Sequence, residues 1–375
     1  MIINTNFISE CIGSASVSEA SSAMTSMNLN AGTDDNVKRG ESAGVKVPDA
    51  RSSVPQPFLN LKTIVMADLT IKDSSGGKHA FHKKKARKLE GCHLGGGSFG
   101  EVYKATHAVH GDVAVKLAKP GKEDQVKMYK KEARKHENSL ICEHIVSIKG
   151  FVECEDDACN CGLIGIVMKY MENGSLWDFR TTKWQQHPDL LPLTNRMVYE
   201  MSSGMHFLHS KNIIHRDLKL ENVLVDGDLH VKIADLGLAT NLQTSFGDRC
   251  WGTDSHKPPE AFRTDLPNST KIVTPKYDVY GFAMTLYELL TGIHPYSDRE
   301  SAMVRVFKLT NQTPCLEPVP KNTPEALIKV MTDSWSYEAS DRPDFKEITD
   351  RVKNLGIEPT YASLGLYFGE KLQIG

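Results

Sequence analysis

Apolar and polar positions give the chain three successive textures. The first fifty residues hold eight serines, and the only aromatic before Phe58 is Phe7. Such a segment buries too little to offset the entropy of ordering, so residues 1–80 read as a disordered tail. Inside that stretch, residues 58–71 (FLNLKTIVMADLTI) are apolar enough for a strand or docking segment. The tail supplies no core, and a variant beginning near Asp73 is expected to stay active. From about residue 88, short β-branched runs alternate with glycines. Val102–Lys104 and Val113–Leu117 read as strands flanking a turn near Gly111, and Ile145–Val152 with Leu163–Tyr170 as a second pair. Between Glu123 and Leu140, apolar Val126, Tyr129, Ala133 and Leu140 recur at helical spacing. Beyond Leu176 the pattern is mostly helical, with amphipathic segments around Met197–His209, Val279–Leu290 and Ala326–Trp335. A small β-rich lobe followed by a larger helical lobe is an α+β architecture.

Composition narrows the function classes. With 40% hydrophobic and 25% charged residues among 375, a collagen, a coiled coil and a wholly disordered chain are excluded. The 45 basic and 47 acidic residues leave a net charge of -2, which gives no bulk attraction for nucleic acid or an anionic membrane. The basic run HKKKARK after SSGGK reads as a solvated linker, with a contact to RNA or anionic lipid as the alternative. The first twenty residues carry no Lys or Arg, and no run approaches the ~18 apolar residues that span a bilayer. A cytoplasmic protein without membrane insertion is therefore expected, its eight cysteines as thiols. Cys154, Cys159 and Cys161 in CEDDACNC fall in a predicted hairpin turn, as loop thiols or, with one further ligand, a zinc site.

Three motifs carry chemistry. In LGGGSFGEV, Gly95, Gly97 and Gly100 lie within a strand-turn-strand pattern, where backbone amides can approach phosphates without Cβ interference. A dinucleotide-binding loop would instead open a helix. Lys116 ends the apolar strand VAVK and needs a counter-charge, from a nucleotide phosphate or a carboxylate. In IIHRDLKLENVLV and VKIADLGLA, Asp217, Asn222 and Asp235 are bracketed by apolar strands. A carboxylate and an amide oxygen, with substrate phosphates, suffice for magnesium. A second carboxylate can orient a hydroxyl and accept its proton.

The glycine loop, VAVK, HRDLKLEN and DLG, in this order and spacing, resemble the eukaryotic protein kinase family. The resemblance covers residues 88–355, with a bilobal fold of N-lobe 88–168 and C-lobe 172–355, and leaves 356–375 as a short tail. WGTDSHKPPE, YDVYGFAMTLYELLTG and WSYEASDRPDF extend it, the last two most like the tyrosine-kinase-like serine/threonine kinases. It implies that Leu94, Gly95, Gly96, Gly97, Ser98, Phe99 and Gly100 cover ATP while Lys116 contacts its α- and β-phosphates. Glu132 is the implied helix partner of Lys116, with Glu137 the competitor. Asp217 is the implied base, Lys219 sits beside the transferred phosphate, and Asn222 and Asp235 hold Mg2+. Thr253 bridges Asp217 and Lys219 where the peptide docks. Adenine lies between Val102, Ala114 and Leu224, with Met168 behind it and hinge hydrogen bonds from the backbone around Lys169 to Met171.

Several residues depart from the family pattern. Leu236 stands where an aromatic is commoner, Pro258 begins PPE rather than APE, and His256 takes a place usually given to tyrosine. These changes bear on peptide docking more than on ATP. Glu260 is expected to pair with Arg342. The resemblance implies phosphorylation of protein serine or threonine hydroxyls in signalling, with a pseudokinase scaffold and a dual-specificity enzyme as the rival readings. Activation by an upstream kinase or by the protein itself is expected at Thr244 or Ser245, because Arg216 beside Asp217 would be a buried charge wanting an anion, with Arg249 assisting; the alternative is that both hydroxyls are solvated and Arg216 finds a backbone carbonyl.

Overall fold

The computed structural model describes residues 64, 68–72, 76–81, 91–97, 100–117, 142–153, 164–184, 191–241, 252–263 and 273–355. The predicted helix at 123–140, Glu132, Glu137, Ser98, Phe99, the three loop cysteines, Thr244, Ser245 and Arg249 lie outside these residues.

A seven-stranded antiparallel sheet is built from β1 (Leu69–Lys72), β2 (Lys78–Ala80), β3 (His93–Gly97), β4 (Gly100–His107), β5 (Gly111–Leu117), β6 (Ile148–Glu153) and β7 (Ile164–Lys169). The strand order is β2-β1-β4-β5-β7-β6, and β3 also pairs with β4. Alternation explains what each face does. In β5, Val113, Val115 and Leu117 enter a core with Tyr103, Leu69, Ile71 and Phe81. Ala114 and Lys116 must then face the other way. Directly paired residues share a face, so the register Val102↔Lys116, Lys116↔Ile166 and Ala114↔Met168 gathers Val102, Ala114, Lys116, Ile166 and Met168 on one surface.

The small lobe expected to start at residue 88 begins upstream of that point. Leu69 and Thr70 pair with His107 and Thr106 of β4, and Ile64 donates its N–H to the Phe151 carbonyl. Leu69 and Ile71 are buried two residues apart while Lys72 is exposed, the pattern of a strand with one face on a core.

The larger lobe contains α1 (Leu176–Thr182), α2 (Leu191–Ser210), the two-residue strand β8 (Ile213–Ile214), the hairpin β9 (Val223–Val225) and β10 (Val231–Ile233), and β11 (Thr240–Asn241), which pairs with β8. Then follow α3 (Pro275–Thr291), α4 (Ser301–Leu309), α5 (Glu325–Ser334) and α6 (Phe345–Lys353). Every residue of α3 from Tyr277 to Leu290 is buried. A helix apolar nearly all round belongs at the centre of a core, and α2, α5 and α6 pack around the same cluster. Gly292, at φ 71°, ends α3 in the left-handed conformation that disfavours other residues. The Arg180 guanidinium from α1 donates to the Leu289 and Leu290 carbonyls, putting a cation at the negative end of the helix.

Candidate active site

The β9–β10 hairpin brings two distant residues together. Asn222 immediately precedes β9, Asp235 follows β10 by two residues, and the Ala234 N–H donates 2.8 Å to the Asn222 carbonyl. Both side-chain N–H contacts of Asn222 go to Asp217, to its carbonyl at 2.7 Å and its Oδ2 at 3.2 Å. With that NH2 group committed, the amide oxygen is the atom left to ligate a cation.

Asp235 adopts a left-handed backbone, φ 57°, and its Oδ1 lies 2.8 Å from Lys116 Nζ. Burial works to raise the Asp235 pKa, but Lys116, His215 and the Gly237 N–H outweigh it and hold the carboxyl below its ordinary value. The pair spans the two lobes, joining β5 to the turn after β10.

Asp217 Oδ1 accepts from the Thr253 N–H at 2.9 Å and from the Thr253 hydroxyl at 2.8 Å. Lys219 Nζ donates 3.0 Å to the same Thr253 oxygen and lies 4.0 Å from Asp217 Oδ2. Gly252 makes this approach feasible. Its φ is +109°, and a Cβ there would meet the Arg216 carbonyl at 2.5 Å, closer than real side chains come.

The loop carrying Asp217 is fixed from beneath by α3. Asp278, 1% exposed, accepts from the backbone N–H groups of His215 (2.7 Å) and Arg216 (2.8 Å), with His209 Nε2 also at 2.8 Å. Arg216 is thereby held at φ 71°, an uncommon conformation for a side-chain-bearing residue. Its Nε donates to the Leu238 carbonyl, so a backbone oxygen already engages the group expected to await a phosphate. Glu288, also on α3, lies 3.2 Å from His256 and 2.7 Å from His294, and accepts from the Leu220 N–H. Arg342, fully buried, forms the expected bidentate pair with Glu260 at 2.7 and 2.8 Å.

Met168 and Leu224 pack against buried Val146, Met171 and Ala234. With the shared face of Val102 and Ala114, this makes an apolar wall beside Lys116. Gly95, Gly96 and Gly97 pair with Val102, Glu101 and Gly100 in the hairpin that the glycine spacing predicted. Leu94 is exposed there, and Lys169 Nζ reaches Asp226 Oδ2 at 3.3 Å. Sequence reasoning missed Ile166, Asp278 and Glu288. A lone carboxylate within an apolar helical run was the available signal for the last two.

The two lobes are thus joined by a lysine-carboxylate pair, with a carboxylate, an amide and a threonine assembled below it. The family model described as protein tyrosine and serine/threonine kinase matches residues 90–352, and the chain belongs to that family. Its similar relatives include the ankyrin repeat and protein kinase domain-containing protein 1 of Homo sapiens, 34% identical over 68% of this chain and 33% of the relative. The receptor-interacting serine/threonine-protein kinase 4 of Mus musculus is 32% identical over 71% of this chain and 34% of its own length. The human receptor-interacting serine/threonine-protein kinase 3 is 34% identical over 69% of this chain and 50% of its own length. The chain thus spans about a third of the length of the first two relatives.

Proposed function

We propose that the chain is a protein kinase that transfers the γ-phosphoryl group of Mg-ATP to serine or threonine hydroxyls of protein substrates. The observation that carries this reading is the convergence of Asp217, Lys219 and Thr253 at hydrogen-bond distance, beside Asn222 and the Lys116–Asp235 pair. The donor set fits magnesium, since Asp235 offers a carboxylate held ionised and Asn222 an amide oxygen. Bound there, the metal would neutralise charge on the phosphates and hold them in line.

Asp217 accepts the proton of the attacking hydroxyl, and its bonds from Thr253 and Asn222 fix where that proton goes. Lys219 supplies positive charge where negative charge develops on the transferred group. Lys116 turns from Asp235 toward the nucleotide phosphates, with Gly95 to Gly100 closing over them. Val102, Ala114, Leu224 and Met168 form the apolar slot for adenine, with the backbone from Lys169 to Met171 offering hydrogen bonds. Lys219 and the serine/threonine kinases among the relatives favour aliphatic hydroxyls over tyrosine. Among the described residues no helix is long and apolar enough to cross a membrane.

The test is labelled ATP with the full chain, a generic protein acceptor and phosphoamino-acid analysis. Phosphoserine or phosphothreonine is the expected product. Binding of Mg-ATP without transfer would replace this reading with a pseudokinase, and phosphotyrosine would make the enzyme dual-specific.

A further inference from the structure

Lys308 sits where a hydrophobic residue would be expected. It follows Val304 by one turn of α4, both are buried, and Lys308 itself is 1% exposed. Its ammonium donates to the Ser255 carbonyl at 2.7 Å and to the Lys257 carbonyl. The rings of Tyr280 and Tyr296 lie 4.5 and 5.3 Å from it. A buried cation is costly without such partners, and here two carbonyls and two aromatic faces supply them.

Those carbonyls belong to the turn that follows Thr253. His256 and Lys257 both donate their N–H to the Thr253 carbonyl, at 2.9 and 3.1 Å, and Thr253 in turn grips Asp217 through its N–H and hydroxyl. A second tie from α4, Arg305 to Asp254 at 2.9 Å, is solvent-exposed on the arginine side and therefore weaker. We infer that Lys308 is a positioning residue for the protein substrate: its buried ammonium fixes the turn Thr253–Lys257 and so sets the surface on which the acceptor hydroxyl meets Asp217. This rests on the kinase reading above, which assigns Asp217 and Thr253 their roles.

The charge on Lys308 is lost at lower pH than that of an ordinary lysine. Burial pushes its pKa well down from the usual lysine value, against the opposing pull of Asp254 and Glu260; Arg342 and Lys257 add to the lowering. Tyr280 on α3 and Tyr296 in the following turn face the same ammonium. Both have raised pKa values, Tyr296 about 12, so they remain neutral where the lysine titrates. Arginine at this position would keep its charge throughout.

The test compares the full-length wild type with Lys308→Met and Lys308→Arg. The acceptor KM, the ATP KM and amide hydrogen exchange at His256 and Lys257 are measured, the kinetics between about pH 7 and 9.5. Lys308→Met is expected to raise the acceptor KM about tenfold, leave the ATP KM within about twofold, and speed exchange at both amides. Lys308→Arg should restore the acceptor KM and remove the alkaline rise expected of the wild type. Unchanged acceptor KM and exchange in a folded Lys308→Met protein would overturn the inference. Should that variant not fold, the same alkaline rise in Lys308→Arg as in wild type would overturn it. A wild type that transfers no phosphoryl group defeats the kinase reading instead, and exchange at His256 and Lys257 still decides whether Lys308 orders the turn.

Discussion

The Lys116–Asp235 ion pair bears on stability and on the proposed chemistry alike. Lys116 is nearly inaccessible, so removing its partner outright would leave an uncompensated buried cation. Asparagine at 235 keeps an oxygen for Lys116 while removing the charge that the proposed magnesium site requires. Asp235→Asn should therefore lower turnover about 10²-fold or more while shifting the melting temperature by only a few degrees. Kinetics and thermal unfolding on the same preparation check this, and turnover near wild type would remove the metal role. The lowered pKa of Asp235 contributes stability above the unfolded value of 3.8 that is lost as pH falls through the folded value. These residues were legible in the sequence because their chemistry is unusual for strand ends. Asp278 was not, because its partners His215 and Arg216 lie more than sixty positions away and only the fold brings them to α3.

At the scale of the element, α3 links loops that do not otherwise meet. Burial tends to raise the Glu288 pKa, yet His256 and His294 bring it down to about 2. His294 in turn has its pKa raised above 6.5 by the bond to Glu288, and its ring stacks on Trp177 of α1 at 3.7 Å. A raised histidine contributes stability fully present below pH 6.5 and lost as pH rises through the folded value. The wild type should thus lose melting temperature as pH rises above 6.5, and His294→Ala should flatten that slope. The amplitude is under about 1 kcal/mol, since His294 is partly solvent-exposed. An identical slope in both proteins would show that another group governs it. Thermal scans across that range decide the matter. The helix itself was read correctly from its apolar run at 279–290, but as amphipathic. A period of 3.6 cannot distinguish one buried face from burial on all sides when polar residues such as Asp278 and Glu288 also point inward. The strands were easier: β4 alternates, β5 is β-branched, and both came within three residues of their observed limits.

At the scale of the molecule, the order of a small sheet-built lobe before a helical one followed from the change of texture along the chain. The upstream boundary did not. Residues 58–71 have the hydrophobicity of a strand, but sequence alone offered no partner, because β1 pairs with the far end of β4 more than thirty positions later. In the structure Leu69 and Ile71 are buried against Tyr103 and Val113, and Ile64 joins the same cluster. Fully burying an aliphatic side chain contributes about 1.5–3 kcal/mol, so these three together contribute about 5–9 kcal/mol as an upper estimate. That is comparable to the whole stability of an ordinary domain. A variant beginning at Asp73 would lose these side chains and β1 itself, exposing the edge of β4 at Thr106 and His107. Contrary to the expectation from composition, it should melt well below the full chain and bind Mg-ATP less tightly, whereas a variant beginning at Asn60 should match it. Thermal unfolding with and without Mg-ATP on the two truncations is the measurement. Equal melting temperatures would mean that β1 covers the small lobe without supporting it.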